Sequence, residues 1–154
     1  QDPGFFYLTG VELPNAVLVL RPHEGYEALF LPARNEGVER WTGPKWGPGD
    51  DAAAALGFDR VLATEGAEAV DQARRRPVPG FEGRLRGWLC EPDALLWTPL
   101  PALPVGAELP PTHRMVAALR DRLPTFAVRD VTEQVGRLRQ VKGCGLPVLT
   151  QKAG

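Results

Sequence analysis

The sequence predicts an α/β fold, with helices layered on a mixed β-sheet, and three observations point there. Strand-like and helix-like segments alternate along the chain, the pattern of a sheet covered by helices. The first strand candidates, Ala16 to Leu20 and Glu27 to Leu31, are near-continuous apolar runs, as expected where both faces of a strand are covered. Each helix candidate begins near a capping or acidic residue, and Gly57 supplies a stop.

The elements follow in order. Ala16 to Leu20 (AVLVL) is β-branched and apolar, and the short interval His23-Glu24-Gly25-Tyr26 makes an antiparallel hairpin with Glu27 to Leu31. Asp50 and Asp51 stand where an N-cap and a first-turn acid belong, ahead of Ala52 to Leu56. Arg60 to Ala63 reads as a strand, and Thr64 as the cap of a helix from Glu65 to Arg76 whose terminal arginines suit the negative helix end. Short strands are expected at Leu85 to Cys90 and at Ala94 to Thr98. Thr112 precedes an amphipathic helix with Met115, Val116, Leu119 and Leu123 on one face. Phe126 to Val128 is the last strand. Asp130 with Glu133 resembles a capping box for Val131 to Val141.

Composition narrows the function. The 154 residues suffice for one domain with a core of its own, and the 44% apolar and 24% charged fractions are those of a globular protein. Pro77, Pro79, Pro99, Pro101, Pro104, Pro110 and Pro111 punctuate the middle of the chain, which a linker would also do. The segments between them, such as Ala94-Leu95-Leu96-Trp97, are apolar, so they read as ordered loops within one domain. A net charge of −1 argues against a nucleic-acid partner or a membrane surface held by bulk charge. No apolar run approaches the ~18 residues of a membrane span. Cys90 and Cys144 show no disulfide-framework spacing and read as reduced thiols, which places the protein in the cytoplasm.

Candidate chemistry is sparse. The two histidines, His23 and His113, read as surface residues, and no cluster has metal-ligand spacing. Asp50 and Asp51 could pair on a metal, but helix first-turn acids explain them better. The segment Gly43-Pro44-Lys45-Trp46-Gly47-Pro48-Gly49 lacks the Gly-Lys-Ser/Thr order of a phosphate loop, and its prolines remove amide donors. Arg74-Arg75-Arg76, with Arg84 and Arg86, could meet phosphate or nucleic acid, against the simpler reading of a solvated helix end. No base neighbours Cys90 or Cys144 in sequence. These residues predict neither a catalytic site nor a metal site in the chain.

Three segments carry a resemblance. Phe5-Phe6-Tyr7-Leu8-Thr9-Gly10, followed by Glu12-Leu13-Pro14 and the run Ala16 to Leu20, resembles the aromatic-Tyr-Leu-Thr-Gly stretch of Xaa-Pro aminopeptidases. Leu29 to Asn35, then Glu39-Arg40-Trp41-Thr42-Gly43-Pro44-Lys45-Trp46-Gly47, is similar to the family's strand, basic turn and Glu-x-Trp-x-Gly-x-Arg-x-Gly element, and Ala53 to Arg60 continues it. Leu138-Arg139, with Lys142 three residues on, resembles the join to the catalytic domain.

The resemblance implies a creatinase-like N-terminal domain over residues 1–142, three-layered around a mixed sheet. Residues 143–154 would be a residual or altered join. It further implies that a helix and an edge strand usual before the first motif are missing, and that the pita-bread catalytic domain, with its manganese or similar divalent ions, lies outside the chain. This chain would then be inactive by itself and bind no cofactor. Its roles would be oligomerisation and restriction of active-site access to short proline-containing peptides. Phe6, Tyr7, Trp41 and Lys45 are the implied substrate-access or inter-subunit residues, with core packing the equal alternative for the two rings of the first segment. Lys45 stands where the family usually has Arg, and an ammonium cannot reproduce a planar two-point contact to a carboxylate. Expected partners are further copies of the chain or a catalytic domain. Two other readings are a stand-alone protein- or peptide-binding module, as related domains serve in a histone-chaperone subunit, and a small complete enzyme using Cys90 or His113.

Overall fold

Two apolar strands separated by a tight turn fold back on each other, and this hairpin organises the first part of the chain. In the computed structural model, which describes residues 2–65, 70–71, 76–77, 80–123 and 125–140, β1 (Val17–Arg21) pairs antiparallel with β2 (Tyr26–Leu31). A 3-10 turn at Pro22–Glu24 joins them. β3 (Val61–Ala63) adds parallel to the other side of β2, which gives a mixed sheet in the order β1-β2-β3. The register Leu18↔Leu29 and Leu29↔Val61 brings those three side chains to one face of the sheet.

The described residues divide into two compact units, those up to 84 and those from 85 onward. In the first, α1 (Pro3–Thr9) precedes the hairpin, and α2 (Glu36–Thr42) and α3 (Asp50–Leu56) lie between β2 and β3. Leu29, Leu31 and Val61 pack with Val11 and with Ala52 and Ala53 of α3, and Phe5, Leu13, Leu56 and Phe58 close the margin. Small residues on α3 let the helix approach the sheet closely. Phe30 points to the opposite face, where it meets Phe81 edge-on with ring centroids 5.4 Å apart. The sheet of this unit is therefore covered on both sides.

Two further strands, β4 (Val70–Asp71) and β5 (Arg76–Pro77), form an antiparallel ladder. Their pairing overturns the helix expected from Glu65 to Arg76. Alanine-rich propensity is a weak prior, and cross-strand pairing overrides it here. Arg74 and Arg75 of the arginine run lie outside the described residues.

A second correction concerns Leu85 to Cys90. This segment is helical, α4 (Phe81–Leu89), beginning in the first unit and ending in the second. Phe81, Leu85 and Leu89 recur every four residues, a helical stripe, and the local apolar run Trp88-Leu89-Cys90 imitates a strand. In the second unit β6 (Leu95–Thr98) and β7 (Ala127–Asp130) pair in parallel, as their alternation with helices predicts. α5 (Pro111–Arg122) buries Val116 and Leu119, and Leu85, Leu89 and Phe126 are also buried. Pro111 occupies the first turn of α5, where its missing N–H costs nothing. Asp130 does not form the expected capping box with Glu133. Its carboxylate accepts from the Thr132 N–H at 2.9 Å, the Thr132 hydroxyl and the Leu100 N–H at 2.8 Å. Glu133 instead pairs along α6 (Thr132–Gln140) with Arg137 at 2.6 Å.

Candidate functional site

The motif Tyr7-Leu8-Thr9-Gly10 is the end of a helix. Asp2 caps α1 by accepting from Phe5 N–H at 2.8 Å, and Pro3 occupies the first turn. At the other end the Thr9 hydroxyl donates to the Phe5 carbonyl at 2.8 Å and accepts from Val11 N–H at 3.2 Å. Gly10 has φ 66°, a left-handed stop that a side chain would strain. Thr9 is buried, so the Thr-Gly pair is a structural hinge between helix and strand. Phe6 and Tyr7 both lie on α1, Phe6 45% exposed and Tyr7 half-buried, so neither ring is a fully buried core residue. The cap, proline and glycine at their standard places were the signals of this helix in the sequence.

The second motif builds a charged clamp. Asn35 caps α2 by accepting from Val38 N–H at 3.2 Å, and the helix turns Glu39 back toward the residue that precedes its cap. There Arg34 Nε lies 3.0 Å from Glu39 Oε1, and Nη2 lies 2.5 Å from Oε2, the two-point contact that a guanidinium makes with a carboxylate. The Lys45 backbone N–H also donates to the Glu39 carboxylate. The Arg34 hydrogen bond is the main influence holding Glu39 below the usual carboxylate range, and the same bond raises Arg34. Glu39 thus stays ionised with its oxygens occupied, and it is no proton donor at neutral pH.

This arrangement resolves the Lys-for-Arg difference. The planar contact to Glu39 is made by Arg34, and position 45 contributes a main-chain donor that either residue supplies. Gly47 completes the clamp. A Cβ at position 47 would lie 2.4 Å from Arg34 Cγ and 2.7 Å from Cδ, so only glycine leaves the guanidinium stem its place.

Around the clamp lies a cleft of about 140 Å³, lined by apolar Pro14, Pro32, Val38 and Trp46, by the paired Arg34 and Glu39, and by Lys45, which adds a positive charge. Of the sequence-derived candidates, Lys45 lines this cleft, whereas Phe6, Tyr7 and Trp41 do not. Trp41 stands on α2 with 90% of its surface exposed. Arg34 and Trp46 were missed as site residues. The signal was present in the Arg34–Glu39 spacing, but it becomes informative only once residues 36–42 are known to be helical.

Elsewhere, His23 is exposed in the turn after β1. His113 Nε2 lies 3.1 Å from the Pro101 carbonyl, which can only accept, so that nitrogen carries the proton. Cys90 is an exposed free thiol. Among the described residues no group of three or more His, Cys, Asp or Glu could hold a metal ion, and no helix is long and apolar enough to cross a membrane.

Residues 1–75 match the family described as aminopeptidase P, N-terminal domain. Over 71 residues, 42% of this chain, the sequence is 38% identical to mouse Xaa-Pro aminopeptidase 3, covering 14% of that enzyme. Over 51 residues, 30% of this chain, it is 43% identical to the Schizosaccharomyces pombe intermediate cleaving peptidase 55, covering 10% of it. The chain therefore spans a small fraction of the curated relatives it matches. Its fold is similar to that of a Bacillus anthracis protein described as a putative aminopeptidase P, with a TM-score of 0.68, 20% identity, and coverage of 90% of this chain and 30% of that one. It is also similar to Escherichia coli aminopeptidase P, with a TM-score of 0.61, 23% identity, and coverage of 90% and 29%. Residues 1–75 therefore carry an aminopeptidase P N-terminal domain, and the fold around them is similar to that of aminopeptidase P enzymes.

Proposed function

We propose that this chain is the non-catalytic part of a proline-specific metallo-aminopeptidase, where it assists subunit association and limits which peptides reach the active site. The carrying observation is that its similarity to Xaa-Pro aminopeptidases falls on their N-terminal domain. In this reading residues 1–142 are that domain and residues 143–154 lead toward the catalytic one. Catalysis belongs to the second domain, where a divalent metal, manganese by resemblance, would activate water at an Xaa-Pro peptide bond. This chain supplies positioning and shielding.

Phe6 and Trp41 suit this role because they present aromatic surface to solvent from short capped helices, and buried aromatics dominate the energetics of contacts. Tyr7 follows Phe6 on the same helix and is half-buried. Lys45, on the rim of the cleft, offers a cation to an acidic neighbour or a peptide carboxylate. The reading places the enzyme in the cytoplasm, in keeping with the free thiol of Cys90. The test is hydrolysis of Xaa-Pro peptides by the purified chain with added manganese. No turnover is expected, and robust turnover refutes the proposal.

A further inference from the structure

The clamp leaves one charge in its cleft unbalanced. Arg34, Glu39 and Lys45 are the ionisable side chains that line the cleft, and the two-point contact cancels the first two. Both Glu39 oxygens are held by Arg34, and the Lys45 main chain donates to the same carboxylate. The Lys45 ammonium ranks last among the influences that shift Glu39, so that carboxylate is not its counter-ion. The cleft therefore carries one net positive charge beside an apolar wall of Leu13, Pro14, Pro32, Val38 and Trp46.

The loop that carries Lys45 is fixed before anything binds. Gly43 N–H donates to the Glu39 carbonyl at 2.9 Å, and Gly49 N–H donates to the Val61 carbonyl of β3 at 3.0 Å. Between those anchors Pro44 and Pro48 each lock a φ, and Gly47 is buried against the Arg34 stem. A site whose loop is already held loses little freedom when it is filled. Size and polarity then select the occupant. The volume of about 140 Å³ is below the ~300–1,000 Å³ of pockets for cofactors and drug-sized ligands, and about ten times what one water needs. That is room for one amino-acid residue. Val38 and Trp46 are 46% and 47% exposed, so apolar surface remains to be covered. One cation beside apolar surface is complementary to an apolar residue bearing a carboxylate, which is the last residue of a peptide.

We infer that the cleft holds the C-terminal residue of a short peptide, with its side chain against Pro14, Pro32 and Val38 and its carboxylate on the Lys45 ammonium. This inference rests on the peptide-limiting role proposed above, and names the site and the end of the peptide that it takes. Arg34 and Glu39 do not touch the ligand. They act as positioning residues, because Glu39 fixes the Lys45 main chain and Arg34 fixes Glu39. Trp46 closes the apolar side.

The test is an NMR titration of the full chain, labelled with nitrogen-15, using acetyl-Pro-Leu and its C-terminal amide. The free acid should shift the Lys45 and Val38 amides and the Trp46 indole N–H to saturation in the millimolar range. The amide should bind about fivefold more weakly, the worth of one half-exposed ion pair. Lys45→Met keeps an apolar stem and the main-chain donor, and should bind acid and amide alike. Val38→Glu, at an exposed position, sets a like charge against the ligand and should weaken the acid by a similar factor. The comparison of acid with amide on the unaltered chain decides the matter even if a variant fails to fold. Equal binding of the two, a Lys45→Met chain that still prefers the acid, or shifts that never saturate or centre elsewhere overturn the inference. Amidated acetyl-Pro-Glu bound as tightly as the free acid overturns it in favour of an acidic protein surface. None of these results touches the non-catalytic assignment, which falls to Xaa-Pro turnover by the purified chain.

Discussion

Replacing Gly47 by alanine asks whether the motif glycine serves the backbone or its neighbour. Its φ lies outside the left-handed region, so the substitution carries no backbone strain. The new methyl would instead lie 2.4 Å and 2.7 Å from Cγ and Cδ of Arg34, against ordinary contacts of about 3.5 Å or more. Those atoms are mid-stem, and their far end is tied to Glu39 by the two-point contact, so the clash cannot be relieved by swinging a free tip. Overpacking of this kind costs about 1–3 kcal/mol. For a chain of this size that lowers Tm by roughly 2–4 °C per kcal/mol. The clash disappears when Arg34 is Ala, because its Cβ lies 3.7 Å away, an ordinary contact. A thermal-melt double-mutant cycle of Gly47→Ala and Arg34→Ala should therefore show a coupling of about 1–3 kcal/mol, with the second loss largely absent from the double variant. Additive losses, or a Gly47→Ala protein as stable as wild type, would refute the steric argument.

Acid should destabilise the protein through Glu39 and Asp130. Both are held below their ordinary values, by Arg34 and by Thr132 and the Leu100 N–H respectively, so their contribution is present above about pH 4 and is lost as pH falls below it. Denaturant titrations between pH 7 and pH 3 should show this, and Asp130→Asn should flatten the part due to Asp130. Leu29→Ala, at a fully buried position in the core under α3, should cost about 3–5 kcal/mol in urea unfolding. Trp41→Ala, at a 90% exposed side chain, should change stability by no more than about 0.5 kcal/mol in the same assay.

The hairpin and β3 were legible because continuous apolar runs and a short turn admit few other readings. Gly57 ends α3 as expected, although the N-cap is Gly49 and Asp50 and Asp51 fill the first turn. α4 was obscured by Gly83 and Gly87, poor helix formers within a stripe that only tertiary packing makes decisive. α1 was legible in principle from Asp2, Pro3 and Gly10, but its aromatic sequence favours a strand on propensity. The clamp was hidden for a different reason. Arg34, Glu39, the Lys45 amide and Gly47 meet only after a turn, a helix and a loop have formed, and pairwise spacing does not encode such a meeting. The third motif, around Leu138, Arg139 and Lys142, reaches past the described residues at Lys142.

The central position of β2 has a consequence in time. Its main-chain groups bond alternately to β1 and to β3, and its last four residues are buried. Amide protons there can exchange with solvent only when the sheet opens, so they report the global stability of the first unit. The amides of Leu18 and Leu20 on β1 point away from β2 and take no part in the β1–β2 ladder, so their exchange clock runs independently of that opening. Neighbouring strands of one sheet therefore keep two clocks, and only the one on β2 reads the opening of the sheet.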